Sequence, residues 1–219
     1  MYRKDVILSD FRPGLGTIGL ELGYLKSEGM VRLLQRKAGE ITPREVESEM
    51  LSHNSGVRML LSSHKAGDAR HAVQVGNFEA IARILPTMAR FVILDLPPAI
   101  DPISAKIMPL CDQVILIVEP SPHTITQTKS MLDEMINMGI GEGRIDLVLV
   151  NRIRSGGQLS WSQVQEQIGK NISVIFTPAP ELAYQASVHN MPIAIQQPHN
   201  LTAQKFRKLA EKVAVRVAA

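Results

Sequence analysis

Short apolar runs recur along the chain at Val6–Ser9, Val57–Leu61, Phe91–Leu94, Val114–Val118, Leu147–Val150 and Val174–Phe176. Phe91–Leu94 is continuously apolar and closes on Asp95, Leu96 and a proline pair, the pattern of a strand buried in a parallel sheet. Between most of these runs the apolar spacing changes to that of a helix. Asn77–Ala89 carries Phe78, Ile81, Ala82, Ile84 and Leu85, and Asn77 is placed to cap it. Thr124–Met138 puts Ile125, Thr128, Met131, Leu132, Met135 and Ile136 on one face, and Ser160–Ile168 and Glu181–His189 read as shorter helices. Arg36–Pro43 reads as an exposed loop, with Thr42 capping a helix that has Pro43 in its first turn. Strand and helix alternate, which predicts an α/β fold: a mainly parallel β-sheet flanked by helices on both faces, joined by right-handed crossovers.

Composition narrows this picture without changing it. At 219 residues the chain is expected to form one domain, 1–219. Aromatic residues are only 4%, so the core must be built from Ile, Leu, Val, Met and Ala. A net charge of +3 is too mild to indicate nucleic acid. The lone cysteine, Cys111, forbids an intrachain disulfide and points to a reducing, cytoplasmic setting. No run approaches a membrane span, and the short apolar run after the N-terminus is broken by Asp10, which argues against a secretory signal. The six histidines are scattered without ligand spacing. Cys111 reads as a packed thiol with no basic neighbour in sequence, and Trp161 as a helix packing residue. Asn200–Val217 reads as a terminal helix docked on the sheet, with Lys205, Arg207, Lys208, Lys212 and Arg216 as a basic remainder. The sharper reading of that helix is a contact with anionic lipid.

Candidate chemistry begins at the strand ends, because ligands of open parallel sheets sit beyond the carboxyl ends of the strands. Asp95 stands there, as does Asp10 after the first run. The first run leads into glycines 14, 16 and 19, which suggests an anion-cradling loop. A triphosphate loop also needs a lysine and a metal-binding hydroxyl, yet Thr17 and Ile18 stand at the corresponding places. The glycines therefore read first as a tight strand-to-helix turn.

The order of the motifs resembles the MinD/ParA class of deviant-Walker P-loop ATPases, in particular its CpaE/TadZ-like branch. The resemblance runs through Val6–Asp10, Gly16–Leu22, Met30–Leu34 and His53–Leu61. It continues through Phe91–Pro98 as the Walker B strand, Cys111–Pro120, Asp146–Arg152, Ile175–Pro178 and Ala186–Pro192, with Met191 where that class usually has glycine. It implies a three-layer P-loop NTPase-like fold. It also implies that the chain starts at the class's second strand, without the first strand and the lysine-bearing phosphate loop, which would leave unpaired backbone on neighbouring strands.

By resemblance, Asp10 faces the attacking water and Asp95 holds magnesium through water. Asn151 reads the adenine edge, Pro178 packs beside the base and Arg152 contacts the base. Each has a plainer alternative: a strand-end turn or cap for Asp10 and Asp95, ordinary strand-end residues for Asn151 and Pro178, a solvated charge for Arg152. ATP or ADP with magnesium are the implied cofactors, though their binding by this chain is left in question. The implied function is regulation or positioning of pilus or secretion machinery, as a homodimer, with weak or no hydrolysis. The alternatives are an active ATPase whose phosphate loop lies upstream, and a non-enzymatic module that binds a partner or the inner membrane surface.

Overall fold

The computed structural model describes residues 5–153 and 158–218. The chain separates into two compact units, Met1–Leu110 and Cys111–Ala219. Both are α/β, with mainly parallel strands flanked by helices, as the alternating pattern predicts.

The first unit holds β1 (Val6–Asp10), β2 (Leu51–Ser52), β3 (Arg58–Leu60) and β4 (Phe91–Asp95) in the order β2-β3-β1-β4. β1 runs parallel to β3 and to β4, and its register with β4 sets Val6 against Phe91 and Asp10 against Asp95. β2 joins β3 as an antiparallel hairpin closed by Gly56 at φ 88°. The sequence pattern misses β2 because a two-residue strand has no period of its own.

Its helices are α1 (Ile18–Glu21), α2 (Gly29–Leu34), α3 (Pro43–Ser48), α4 (Val75–Ile84) and α5 (Pro102–Ile107). Ile7, Met30, Leu33, Phe78, Ile81 and Leu85 are fully buried among them. Each such side chain is worth about 1.5–3 kcal/mol of burial. Thr42 caps α3 as expected, its hydroxyl accepting from the Glu45 N–H.

Asn77 does not cap its own helix. α4 starts two residues earlier, and the buried Asn77 amide donates to the carbonyls of Leu33, Leu34 and Arg36 at 3.4, 3.3 and 2.8 Å. It thereby satisfies the open C-terminal end of α2. The expected helix to Ala89 stops at Ile84 and continues as a single 3₁₀ turn, Leu85–Thr87, because Pro86 has no N–H for the α-helical ladder.

The second unit holds β5 (Val114–Val118), β6 (Ile145–Val150) and β7 (Ile172–Phe176), all parallel, in that order. Its helices are α6 (Pro122–Asn137), α7 (Trp161–Ile168), α8 (Pro180–Val188), α9 (Ile193–Gln196) and α10 (Leu201–Ala218). α7 opens on a reciprocal capping box between Ser160 and Gln163 and stops at Gly169, whose φ is 77°.

α10 docks by its inner face, which is the plainer of its two sequence readings. Leu209 packs on Val148, Val174 and Phe176, and the Phe206 ring lies 4.6 Å from that of Phe176. The Lys212 Nζ donates to Asp146 Oδ1 at 2.7 Å and to Ser173 Oγ at 2.6 Å. Arg207 and Lys208 face outward. No helix among the described residues is long and apolar enough to cross a membrane.

Two expectations are corrected here. Trp161 is not a packing residue, being 56% exposed at the start of α7. Cys111 has a basic neighbour after all, since the Arg144 side chain, 33 residues on, donates to its carbonyl. Burial nonetheless dominates and pushes the thiol up to about 11.

β4 ends the first sheet and β5 ends the second. Each of these edge strands carries exposed isoleucine, Ile93 on β4 and both Ile115 and Ile117 on β5. Among the described residues neither edge carries the lysines, prolines or bulges that usually protect one.

Candidate functional site

β1 and β4 finish together, and the register pairing of Asp10 with Asp95 brings two carboxylates side by side at the carboxyl ends of parallel strands. The turn after β1 is fixed by the Phe11 N–H, which donates to the Asp95 carbonyl at 2.9 Å. The Phe11 ring is buried against Phe78, 5.3 Å between centroids. Arg12 follows, and its backbone N–H donates to Asp10 Oδ1 at 3.0 Å. Its side chain then folds back over the strand ends. Nε lies 3.4 Å from Asp10 Oδ1, Nη2 lies 2.5 Å from Asp95 Oδ2, and Nη2 also donates to Thr17 Oγ1 at 3.1 Å.

Arg12 is the member of this cluster that sequence reasoning missed. Its spacing from Asp10 signals a local turn, but only the sheet register, across 83 positions of chain, supplies the second carboxylate. The electrostatics follow from this arrangement. Burial pushes the Asp10 carboxyl above its ordinary value, the Arg12 guanidinium and backbone N–H oppose that, and the Asp95 charge adds to it. Burial likewise raises Asp95, against the pull of Arg12.

Asp10 is fully buried, and its Oδ2 has no hydrogen-bond partner. That oxygen faces Gly16, where an added Cβ would stand 3.0 Å from Oδ2 and 2.7 Å from the Ser62 carbonyl oxygen. A side chain at 16 would fill this slot. At Gly14 a Cβ would lie 2.5 Å from the Ala69 nitrogen, at a φ of 74° that itself favours glycine. Two N–H groups of this loop are already spent, Leu15 on the Arg12 carbonyl and Gly16 on that of Ser63. The glycines thus serve close packing, which is how the sequence pattern reads first.

The other candidate residues gather in the second unit, also at strand ends. The Asn151 N–H donates to the Phe176 carbonyl at 2.9 Å, and its side-chain oxygen accepts from the Ile153 N–H at 3.1 Å. Arg152 is mostly exposed and pairs with Glu119, just past β5, at 2.9 Å. Such an exposed pair is worth at most about 1 kcal/mol, so it orients Arg152 more than it stabilises the fold. Pro178 lines a cavity of about 430 Å³ with Thr177, Glu181, Gln185, Asn200 and Leu201. No cluster of three or more metal-binding side chains occurs among the described residues.

No family model and no curated protein matches the sequence. In three dimensions the fold is that of the MinD and ParA ATPases. MinD from Pyrococcus horikoshii, in complex with Mg-ADP, superposes with a TM-score of 0.76 at 18% identity, over 97% of this chain and 84% of that one. A ParA family ATPase from Chlorobium tepidum gives 0.79 at 14% identity, over 92% and 83%. Aquifex aeolicus MinD in its MinC:MinD complex gives 0.75 at 15% identity, over 96% and 84%.

The residues present are a poor fit for a magnesium ion between the two aspartates. The Asp95 oxygen that resemblance gives to the metal is engaged by a guanidinium, and only Asp10 Oδ2 is left without a partner. Asn151, Arg152 and Pro178 share one rim of the second sheet, just past the ends of β6 and β7.

Proposed function

We propose that this chain is a regulatory or positioning protein of the MinD/ParA type, CpaE/TadZ-like, which serves pilus or secretion machinery and turns ATP over weakly or not at all. One observation carries the reading: in a fold shared with MinD and ParA, Asp10 and Asp95 sit in register at the ends of neighbouring parallel strands, spanned by Arg12. Within the second unit, Asn151, Arg152 and Pro178 are the residues offered to a nucleotide base; within the first, Asp10 is the carboxylate offered to an attacking water.

Phosphoryl transfer depends on positive charge placed on the transferring group. The 219 residues contain no Gly-x-x-x-x-Gly-Lys-Ser/Thr loop to supply it. ATP or ADP then acts as a signal for pairing of two copies or for engaging a partner, rather than as fuel. The test is to measure binding of a fluorescent ATP analogue beside steady-state phosphate release. Binding without release is expected. Sustained release that disappears in Asp95→Asn overturns the reading.

A second reading, a module that binds a partner without nucleotide, draws on the exposed apolar side chains of α8 and the segment after it. Tyr184 is 72% exposed, and Val188, Met191 and Ile195 are exposed as well. Nucleotide-independent dimers in light scattering, lost in Tyr184→Ser, would favour it.

A further inference from the structure

We infer that Arg12 is a resident counter-cation that takes the place of a divalent metal at the Asp10–Asp95 pair, so that the pair binds no metal until Arg12 is removed. The inference rests on the sheet register and side-chain contacts of the first unit and goes beyond the proposed function, which concerns nucleotide and partner.

Two carboxylates held in register at the carboxyl ends of neighbouring strands repel, and burial of Asp10 makes ionisation of both costly. A positive charge between them removes that cost, and a metal ion or a guanidinium can supply it. Here the guanidinium does. Its Nε and Nη2 reach Asp10 and Asp95 at 3.4 and 2.5 Å, and Thr17 holds the same Nη2 from a third direction. The backbone that carries this side chain is restrained, because the Arg12 N–H is itself bound to Asp10 and the next residue is Pro13.

The arrangement also keeps the outline of a ligand site. Asp10 Oδ2 is fully buried without a donor, and it faces the slot left by the missing Cβ of Gly16. A carboxylate oxygen in that state is what a cation would contact if Arg12 were absent. An arginine cannot lose its charge near neutral pH, so the occupancy is permanent rather than a switch.

The test uses Mn²⁺ with the full chain, followed by electron paramagnetic resonance of the free ion and by thermal melting. The wild type is expected to show no saturable Asp95-dependent Mn²⁺ site, and a melting temperature unmoved by Mn²⁺. Arg12→Gln is expected to bind Mn²⁺ at least about tenfold more tightly, since a charge at contact distance no longer competes. Its melting temperature then rises with Mn²⁺, as ligand linkage requires. Arg12→Gln/Asp95→Asn is expected to lose both effects.

If Arg12→Gln folds only when Mn²⁺ is present, the inference stands. If Arg12→Gln folds and gains no Mn²⁺ affinity, it fails. Should the variant not fold at all, wild type against Asp95→Asn decides: equal Mn²⁺ traces support the resident cation, and a wild-type site that Asp95→Asn abolishes overturns it. That last outcome would leave the proposed function untouched, because ATP binding and phosphate release are read separately.

Discussion

Removing the Arg12 guanidinium leaves the buried Asp10 charge with only one backbone N–H. Arg12→Ala is expected to cost about 2–3 kcal/mol near neutral pH, the range for losing hydrogen bonds to a buried charge. The pH dependence has a definite sign. Both carboxyls are raised in the folded protein above the ordinary 3.8, so the folded chain keeps protons that the unfolded chain has released. Their contribution to stability is fullest below 3.8, declines as pH rises through the folded values, and is flat above them. Without Arg12 both values move further up, so the penalty of Arg12→Ala should be larger at about pH 8 than at 3.8, the ordinary carboxyl value. Urea titrations of wild type and variant at the two pH values check this; an equal loss at both would show that Asp10 does not feel Arg12. Cys111 gives a second residue-scale expectation. With its thiol pushed up to about 11, it should react with iodoacetamide far more slowly in the folded chain than in urea at the same pH.

At the scale of elements, legibility follows the range of the contacts. β5 is readable to the residue because Val114–Val118 is continuously apolar, and α7 because Ser160 and Gln163 complete a local capping box. α10 is readable as a docked helix from Phe206 and Leu209, but its anchor is not. Lys212 reaches Asp146 across 66 positions, and no periodicity announces that pair. Asn77 misleads for the same reason, since it stands near a helix start while its amide serves α2, more than 40 positions earlier. Asn77→Ala should cost about 1–3 kcal/mol, because it strips donors from buried carbonyls. A rival change at an exposed site, Asp133→Ala, should cost well under about 1 kcal/mol as the loss of its surface pair with Lys129. Chemical denaturation of the two variants separates the buried cap from the surface bridge. The candidate site divides along the same line: Asp10 and Asp95 are legible as strand ends, whereas Arg12 between them is a product of strand register.

For the whole molecule, the edges of the two sheets set the behaviour in solution. Among the described residues β4 and β5 are each the last strand of their sheet, with Ile93 55% exposed and Ile117 62% exposed. An apolar edge of this kind is a template for another strand. The net charge of +3 offers little repulsion between copies. Self-association that grows with concentration is therefore expected, and it should be driven from these strands rather than from α10, whose apolar inner face packs on Phe176 and its neighbours. Ile117→Lys places a charge on the β5 edge without touching its core-facing positions, Leu116 and Val118, which are buried. It should lower the apparent mass in sedimentation velocity while leaving the melting temperature within a few degrees, and Ile93→Lys should do the same for β4. The same measurement in the presence of ATP adds a distinction. Pairing that needs nucleotide supports the proposed role of nucleotide as a signal, pairing that disappears with Ile117→Lys points to β5, and an association indifferent to both would exclude the two together.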